Sequence, residues 1–406
     1  MKSTKKTHLK SAQDTKIIEL LIRMVKSPSY PGIPQQEKGV VQELEAYLKG
    51  HGIESVTTEV CDGRPNLLAS VEGTSPGLHL LLCGHTDTVP PNEKCPVDLL
   101  APFEKEGRLY GRGTADMKGA LAAMAGALVS LKTSGNLTSG KVTLAAIIDE
   151  ETQTLGSEHL VLSGFKADAA IVGEPTNNQI AIGHKGLEWL VIEFEGKAAH
   201  GGTPESGINA ISAASHFVQL VEKELMPSLQ KRLDPVLGHP ALNIGTIQGG
   251  DQPSTVAAYC QIKLARRWVN TENIEQVFED FEVLLKKIRG ERPGLKTKIS
   301  RVPESMATML HGPVTIDPEH PVVLAAQKAL LELKLPAKPL GVFPAWTDAA
   351  LISREAKIPS IIWGPGELDY AHSPEESIKL EDVILARKLY TAAALHFTGS
   401  LEERET

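Results

Sequence analysis

The sequence predicts an α/β fold, in which a mostly parallel sheet is flanked by helices and a βαββαβ unit is inserted. Short apolar runs with strand character alternate with helical patterns, which is typical of a parallel sheet covered on both faces. The middle of the chain has a different order of elements, after which the alternation resumes. At 406 residues, the chain is long enough for two or three domains.

Two sets of segments build the main domain. Apolar runs bounded by turn residues have the character of buried strands, at residues 67–71, 78–83, 142–148, 169–172 and 360–363. Other segments have helical spacing, at residues 17–25, 37–48, 117–131, 321–335 and 380–398. Both sets lie on either side of the middle region. The main domain is therefore predicted to be discontinuous, with residues 1–183 and 305–406.

The middle region contains a complete second unit. Strands are predicted at residues 187–196, 241–247, 256–268 and 295–302, with helices at 207–225 and 271–289. This is the order of the ferredoxin-like fold. We therefore predict an inserted domain at residues 184–304.

Composition excludes several classes of protein. The chain carries 42 Lys and Arg against 50 Asp and Glu, a net charge of −8, which argues against nucleic acid as the main partner. Its four cysteines form no CxxC pair, so neither a disulfide scaffold nor a thiolate zinc site is predicted. No apolar stretch approaches the ~18 residues of a membrane span. We expect a soluble, cytoplasmic protein that binds neither nucleic acid nor membrane.

Acidic residues and histidines follow the predicted strands of the main sheet. In open parallel sheets, ligands bind beyond the carboxyl ends of the strands. The residues at these ends are His85 and Asp87 after 78–83, Glu150 and Glu151 after 142–148, Glu174 after 169–172, and Gly364 and His372 after 360–363. Asp116 directly precedes the Ala-rich helix. One edge of the sheet is thus predicted to collect them.

Such a cluster predicts bound cations. Without a cation, the carboxylates would repel one another or take up protons. Two histidines and three carboxylates suit one or two Zn²⁺-type ions and leave a carboxylate as a base. Each residue alone has an ordinary structural explanation, since Asp116 could cap its helix and the acidic run could be a solvated turn. Their joint placement favours the metal site.

Six segments carry a resemblance to a known family. They are, in order, GHTDTVP, GRGTADMKG, DEE, GEP, GKAAHGGTPE-x-G-x-NA and AHSPEE. Together they resemble the M20 metallopeptidases, which include acetylornithine deacetylases, succinyl-diaminopimelate desuccinylases, aminoacylases and glutamate carboxypeptidases. The resemblance covers residues 16–397. It implies a zinc-peptidase-like catalytic domain with an inserted lid or dimerisation domain, and a homodimer formed through that insert.

The resemblance also implies a dinuclear metal site. Its two divalent ions would be Zn²⁺, with Co²⁺ or Mn²⁺ as alternatives. His85 and Glu174 would bind one ion, Glu151 and His372 the other, and Asp116 would bridge both.

Catalytic roles follow from the same resemblance. Asp87 would hydrogen-bond the imidazole of His85, and the Asp116–Met117 peptide would be cis. Glu150 would be the general base, taking a proton from a water activated by two metals and passing it to the leaving nitrogen. His200 would donate to the oxyanion, in its own subunit or in the partner's, and the sequence does not decide which.

Substrate contacts are implied at four further residues. Arg267 matches an arginine that grips a substrate carboxylate, although an exposed strand residue explains it nearly as well. Asp348 and Gly364 are expected to line the pocket near His372. Ser254 stands where the family usually has a substrate-binding asparagine. Further departures are Ala257, Ala258 and Ala265, which replace a proline and two aspartates.

We therefore expect a metal-dependent hydrolase that cleaves the amide bond of a small substrate, an N-acyl amino acid or a short peptide with a free carboxylate. The alternative is a catalytically silent, dimeric binding or regulatory protein of the same fold, which would usually have lost part of the ligand set. A nucleotide-binding enzyme is disfavoured, because neither GxxxxGK[ST] nor GxGxxG after a strand occurs.

Overall fold

The computed structural model describes residues 11–91, 98–303, 309–336 and 338–399. They form two compact units. The first unit takes its residues from 1–183, 316–343 and 347–406, and the second from 184–315 and 344–346. No helix within the described ranges is long and apolar enough to cross a bilayer.

The helices and strands from α1 to β8 span residues 12–184. In chain order they are α1 (Ala12–Lys26), α2 (Lys38–Lys49), β1 (Ser55–Cys61), β2 (Arg64–Glu72), β3 (Ser75–His85), β4 (Phe103–Lys105), β5 (Arg108–Tyr110), α3 (Gly119–Ser134), β6 (Ser139–Ile147), α4 (Leu155–Leu162), β7 (Ala169–Val172) and β8 (Ala181–His184). Strands β1, β4, β5 and β8 were not predicted from the sequence, and β4 and β5, with three residues each, are too short to show a period.

The remaining elements complete both units. They are β9 (Gly186–Glu195), α5 (Ala210–Leu220), α6 (Met226–Leu229), β10 (Ala241–Gly249), β11 (Tyr259–Trp268), α7 (Ile274–Glu291), β12 (Lys296–Arg301), β13 (Val314–Thr315), α8 (Pro321–Glu332), β14 (Gly341–Phe343), α9 (Ala349–Arg354), β15 (Ser360–Ile362), β16 (Ser377–Lys379) and α10 (Leu380–Thr398).

The first unit is built on one large sheet. Its strand order is β1-β2-β6-β3-β7-β15-β8, with β14 also pairing with β8. The central strands β6, β3, β7 and β15 are parallel, whereas β1, β2 and β8 pair antiparallel with their neighbours. A small antiparallel sheet, β16-β5-β4, accompanies it. The predicted fold class, a mostly parallel sheet flanked by helices, is confirmed.

Helix α3 begins later than the sequence pattern suggested. We expected it from Met117, but Asp116 and Met117 have non-helical backbone angles, so the helix starts at Gly119. The peptide bond between Asp116 and Met117 is cis. Asp116 therefore does not cap this helix, and its carboxylate is available to the site described below. All but a few of the residues of α3 are buried, which explains its Ala-rich composition.

The second unit has the order βαββαβ in its main elements. Its antiparallel sheet runs β10-β11-β9-β12. Buried side chains of β9 and β11 pack with those of α5 and α7, including Phe194, Phe217 and Phe281. The residues at the expected return to the main domain, 304–308, lie outside the described residues. The lid or dimerisation role of this unit stays a prediction.

Candidate metal centre

The parallel strands of the first unit end side by side. In the sheet register, His85 at the end of β3 lies opposite Ile147 of β6, and Val172 of β7 lies opposite Cys83 and Ile362. The residues that follow these strands therefore emerge at one edge of the sheet, where ligands bind in open α/β folds.

One group of ligating side chains lies on His85, Asp116 and Glu174. One ligand atom from each lies within 4.8 Å of the others, and all three residues are buried. His85 Nε2 lies 3.0 Å from Asp116 Oδ1. This spacing suits one small cation held by an imidazole and two carboxylates.

A second group lies on Asp116, Glu151 and His372, again with ligand atoms within 4.8 Å. His372 Nε2 lies 3.0 Å from Glu151 Oε1 and 3.2 Å from Asp116 Oδ2. The two oxygens of Asp116 thus face different histidines, Oδ1 towards His85 and Oδ2 towards His372. A carboxylate shared in this way can bridge two ions.

Neighbouring carboxylates raise the pKa of both histidines. Burial alone would lower the pKa of His85, but hydrogen bonds with Asp116 and Asp87 outweigh it and hold that pKa well above its usual value. Hydrogen bonds to Asp116 and Glu151 raise the pKa of His372 to about 10. The same two histidines outweigh burial at Asp116 and lower its pKa.

The other carboxyl groups are pushed towards their neutral forms. Burial raises the pKa of Glu174 well above its usual value, and the negative charge of Asp116 adds to the shift. Burial likewise raises the pKa of Glu150, whose charged neighbours include His85 and Glu174. These shifts are the electrostatic signature of acids gathered without a counter-ion.

The site fits divalent metal ions. Glu174 Oε1 is buried and accepts no hydrogen bond from any described residue, which is costly unless another partner satisfies it. Imidazole nitrogens and carboxylate oxygens are the donors that Zn²⁺ and related ions prefer. Two overlapping groups joined by Asp116 support two ions and do not distinguish which metal binds.

Asp87 contacts residues of both ligand groups without belonging to either. Its oxygens accept hydrogen bonds from the backbone N–H groups of Glu150 (3.1 Å) and Glu151 (3.0 Å). His85 Nδ1 lies 3.4 Å from Asp87 Oδ1 and 3.1 Å from its backbone oxygen. Asp87 thus links the imidazole of one group to the turn that carries Glu151 of the other.

A buried ion pair holds the chain at Asp116. Glu376 Oε1 accepts the backbone N–H groups of Ala115 (3.1 Å) and Asp116 (3.2 Å), and Glu376 Oε2 lies 2.5 Å from Arg112 Nη1. Glu376 lies in the AHSPEE segment, but no role was predicted for it from the sequence. Its only signal was an acidic residue four positions after His372.

Asp348 and Gly364 lie in the first unit. Asp348 is 2% exposed at the start of α9, and burial raises its pKa to about 7. Gly364 is buried, and its hydrogen bonds join Thr176 and Asn178, just after Glu174. Their predicted contact with substrate stays a prediction.

His200, Ser254 and Arg267 belong to the second unit. His200 and Thr255 form an isolated antiparallel bridge, and Ser254 accepts the backbone N–H of Gly201 at 2.7 Å. The structure therefore brings His200 and Ser254 together on an exposed loop pair. Arg267 is half-buried near the end of β11.

Comparison with known proteins places the chain in a family. The model of peptidase family M20/M25/M40 matches residues 81–396. An acetylornithine deacetylase from Proteus mirabilis (strain HI4320) is 31% identical over 386 residues, covering 92% of this chain and 94% of that protein. The fold, the site and these matches define a hydrolase of amide or peptide bonds. The chain belongs to peptidase family M20.

Solved structures share the fold. A tripeptidase from Staphylococcus aureus superposes with a TM-score of 0.78 at 21% identity, covering 94% of this chain and 98% of that one. YXEP from Bacillus subtilis, described as a dinuclear metal-binding peptidase of the M20 family, gives a TM-score of 0.71 at 17% identity, covering 95% and 98%.

Proposed function

We propose that the protein is a dinuclear metal-dependent hydrolase that cleaves the amide bond of an N-acyl amino acid or a short peptide with a free carboxylate. The observation that carries the proposal is the placement of Asp116, whose two oxygens face His85 and His372 in two overlapping ligand groups. The name of the Proteus mirabilis relative supports an N-acyl amino acid as the first substrate to test.

The mechanism assigns distinct tasks to the residues of the site. His85 and Glu174 would hold one ion, Glu151 and His372 the other, and Asp116 both. When bound, two such ions would lower the pKa of a water between them and polarise the substrate carbonyl. Glu150 would take the proton from the attacking water and deliver it to the leaving nitrogen.

The raised pKa of Glu150 supports its role as the base. A carboxyl group with a raised pKa is a stronger proton acceptor than an exposed one and releases the proton closer to neutral pH. Asp87 would keep Glu150 in place through the backbone hydrogen bond described above. His200 would stabilise the oxyanion, and Arg267 and Ser254 would bind the substrate, with Asp348 and Gly364 supporting the pocket.

The decisive experiment combines metal analysis with a substrate panel. The purified protein would be stripped by chelation, reloaded with Zn²⁺, Co²⁺ or Mn²⁺, and assayed on N-acetylornithine, other N-acyl amino acids and dipeptides. About two ions per chain and hydrolysis restored by metal would support the proposal. Absence of both metal binding and hydrolysis would favour the silent binding protein instead.

A cytoplasmic homodimer is part of the same proposal. Strand β10 forms one edge of the second unit's sheet and most of its residues are exposed, so it can pair with a second copy about a two-fold axis. Analytical ultracentrifugation at micromolar protein tests this, and a single monomeric species would contradict it.

A further inference from the structure

We propose that Arg64 is a positioning residue for the turn that carries Glu150 and Glu151. Its guanidinium group joins Asp149, the residue directly before Glu150, to Glu37 at the start of α2. The proposal rests on the proposed function, because it takes Glu150 as the base and Glu151 as a metal ligand.

The contacts of Arg64 are close and buried. Nε and Nη2 donate to the two carboxylate oxygens of Glu37 at 2.8 and 2.6 Å, and Nη2 also donates to Asp149 Oδ1 at 2.5 Å. The Arg64 side chain is 12% exposed, while those of Glu37 and Asp149 are 0% and 4% exposed. The planar guanidinium binds Glu37 through two parallel hydrogen bonds and reaches Asp149 with the same plane, which a lysine cannot do.

Asp149 needs this support, because its backbone is in the left-handed region at φ 71°. That conformation is uncommon for an aspartate and turns the chain sharply after β6. The Asp149 carboxylate also accepts the Thr152 hydroxyl (2.7 Å) and the Gln153 N–H (3.2 Å). Arg64 therefore anchors a side chain that itself accepts hydrogen bonds from other residues of the segment 149–153.

A second residue of β2 holds the same segment. Asn66 lies two positions after Arg64, so both side chains point to the same face of the strand. Asn66 Oδ1 accepts the N–H of Ile148 at 3.1 Å, and Asn66 Nδ2 donates to the Gly156 oxygen at 2.8 Å. Asn66 thus ties β2 to residues on either side of the segment, and Arg64 ties β2 to its first residue, Asp149.

The segment is held on its other side by Asp87, which accepts the N–H groups of Glu150 and Glu151. Loss of Arg64 would leave the segment held by Asp87 and Asn66 alone, and it would leave the carboxylates of Glu37 and Asp149 in a buried setting without their cation. We expect the turn to shift and to carry Glu150 and Glu151 with it. Residues that orient metal ligands in this way typically change metal affinity or activity by ~10–100-fold when mutated.

The test uses Arg64→Gln and Arg64→Lys in the full-length protein, with Val71→Ala as the matched control. Val71 is a buried residue of the same strand. None of the hydrogen bonds described above joins it to residues 149–153. All three variants are expected to lower the melting temperature. Only the Arg64 variants should lower kcat, by ~10–100-fold, with KM changed far less.

A second readout does not depend on activity. The protein is stripped of metal by chelation and then titrated with Co²⁺. The visible absorption of bound Co²⁺ measures the binding of each ion. Arg64→Gln should lower the affinity for one of the two ions by ~10–100-fold, namely the ion that Glu151 would bind. Val71→Ala should bind both ions as the wild type does. Should Arg64→Gln fail to fold, Arg64→Lys, which keeps the charge, carries both measurements.

Chemical rescue separates positioning from simple destabilisation. Methylguanidinium added to Arg64→Ala should restore part of kcat and of the lost Co²⁺ affinity, and it should have no effect on Val71→Ala. Wild-type kcat and Co²⁺ affinity in a folded Arg64 variant would overturn the inference. Failure of the proposed function would appear separately, as a wild-type protein that hydrolyses nothing on the panel.

Discussion

The side chain of Glu376 hydrogen-bonds to the backbone of Asp116 and not to the Asp116 carboxylate. The Glu376 Oε1 atom accepts the Asp116 N–H at 3.2 Å, so both oxygens of the Asp116 carboxylate remain directed at His85 and His372. Glu376 itself is fully buried and paired with Arg112. Asp116, which joins the two ligand groups, is therefore positioned by a residue that is distant in sequence. That residue, Glu376, lies four positions after His372 of the second group.

The first prediction concerns this pair. Glu376→Ala leaves the guanidinium of Arg112 buried without its partner, and breaking such a pair costs ~3–5 kcal/mol of unfolding free energy. Urea denaturation of the metal-free protein measures the loss. The control is Glu72→Ala, which removes an exposed partner of Lys141 and should cost no more than ~1 kcal/mol. Equal losses in the two variants would contradict the prediction.

Glu150→Gln should separate chemistry from metal binding. The amide keeps the size of the side chain but cannot accept the proton of the attacking water, so kcat should fall by ~10²–10⁴-fold. Metal content measured by elemental analysis should stay at the wild-type value, since Glu150 belongs to neither ligand group. A variant as active as the wild type would refute the role of Glu150 as the base.

Metal binding should release protons. His372 has its pKa raised to about 10 in the metal-free protein, while a ligating imidazole must be neutral. Affinity should therefore rise with pH between about 6 and 9. Calorimetric titrations in buffers of different ionisation enthalpy count the protons released. His372→Gln should release fewer protons on metal binding. A metal affinity that does not change with pH would contradict the prediction.

The same shift predicts how the metal-free protein responds to pH. A histidine with a raised folded-state pKa contributes its full stabilisation below the ordinary value of 6.5 and loses it as the pH rises through about 10. The wild type should therefore lose stability between these values relative to His372→Gln. Urea midpoints across this range measure the difference, which should vanish at the alkaline end.

Gly364 should not tolerate a side chain. An added Cβ would lie 2.3 Å from the Gly173 oxygen and 2.6 Å from the Glu174 oxygen, so the backbone at Glu174 must move. Gly364→Ala is expected to lower both stability and the number of ions bound. Gly290→Ala is the control, because its Cβ meets nothing within 4 Å and alanine favours the helix. Full metal loading of Gly364→Ala would show that Glu174 is not displaced.

The main sheet and the edge that carries the site were predictable because their signals are local. Residues 169–172 were predicted as a strand and form β7 with those bounds, and Glu174 follows it. The alternation of strands and helices then placed the acidic residues at one edge. The fold class needed no contact that is distant in sequence.

The supporting ion pairs were not predictable, because a charged side chain looks the same in the sequence whether it is exposed or buried. Arg64 and Asp149 are 85 positions apart, and Arg112 and Glu376 are 264 positions apart. No periodicity links such residues. Glu37 was predicted only as the first residue of a helix, whereas its side chain is fully buried against Arg64.

The place of β15 in the sheet has a consequence for how the protein is made. β15 lies between β7 and β8, although it is synthesised after the whole second unit, and His372 follows it. The ribosome therefore synthesises β7 and β8 long before the strand that lies between them. This part of the sheet cannot be completed until residues 360–362 have been made. His372 is made later still, so the second group of ligating side chains, Asp116, Glu151 and His372, cannot assemble until nearly the whole chain has been synthesised.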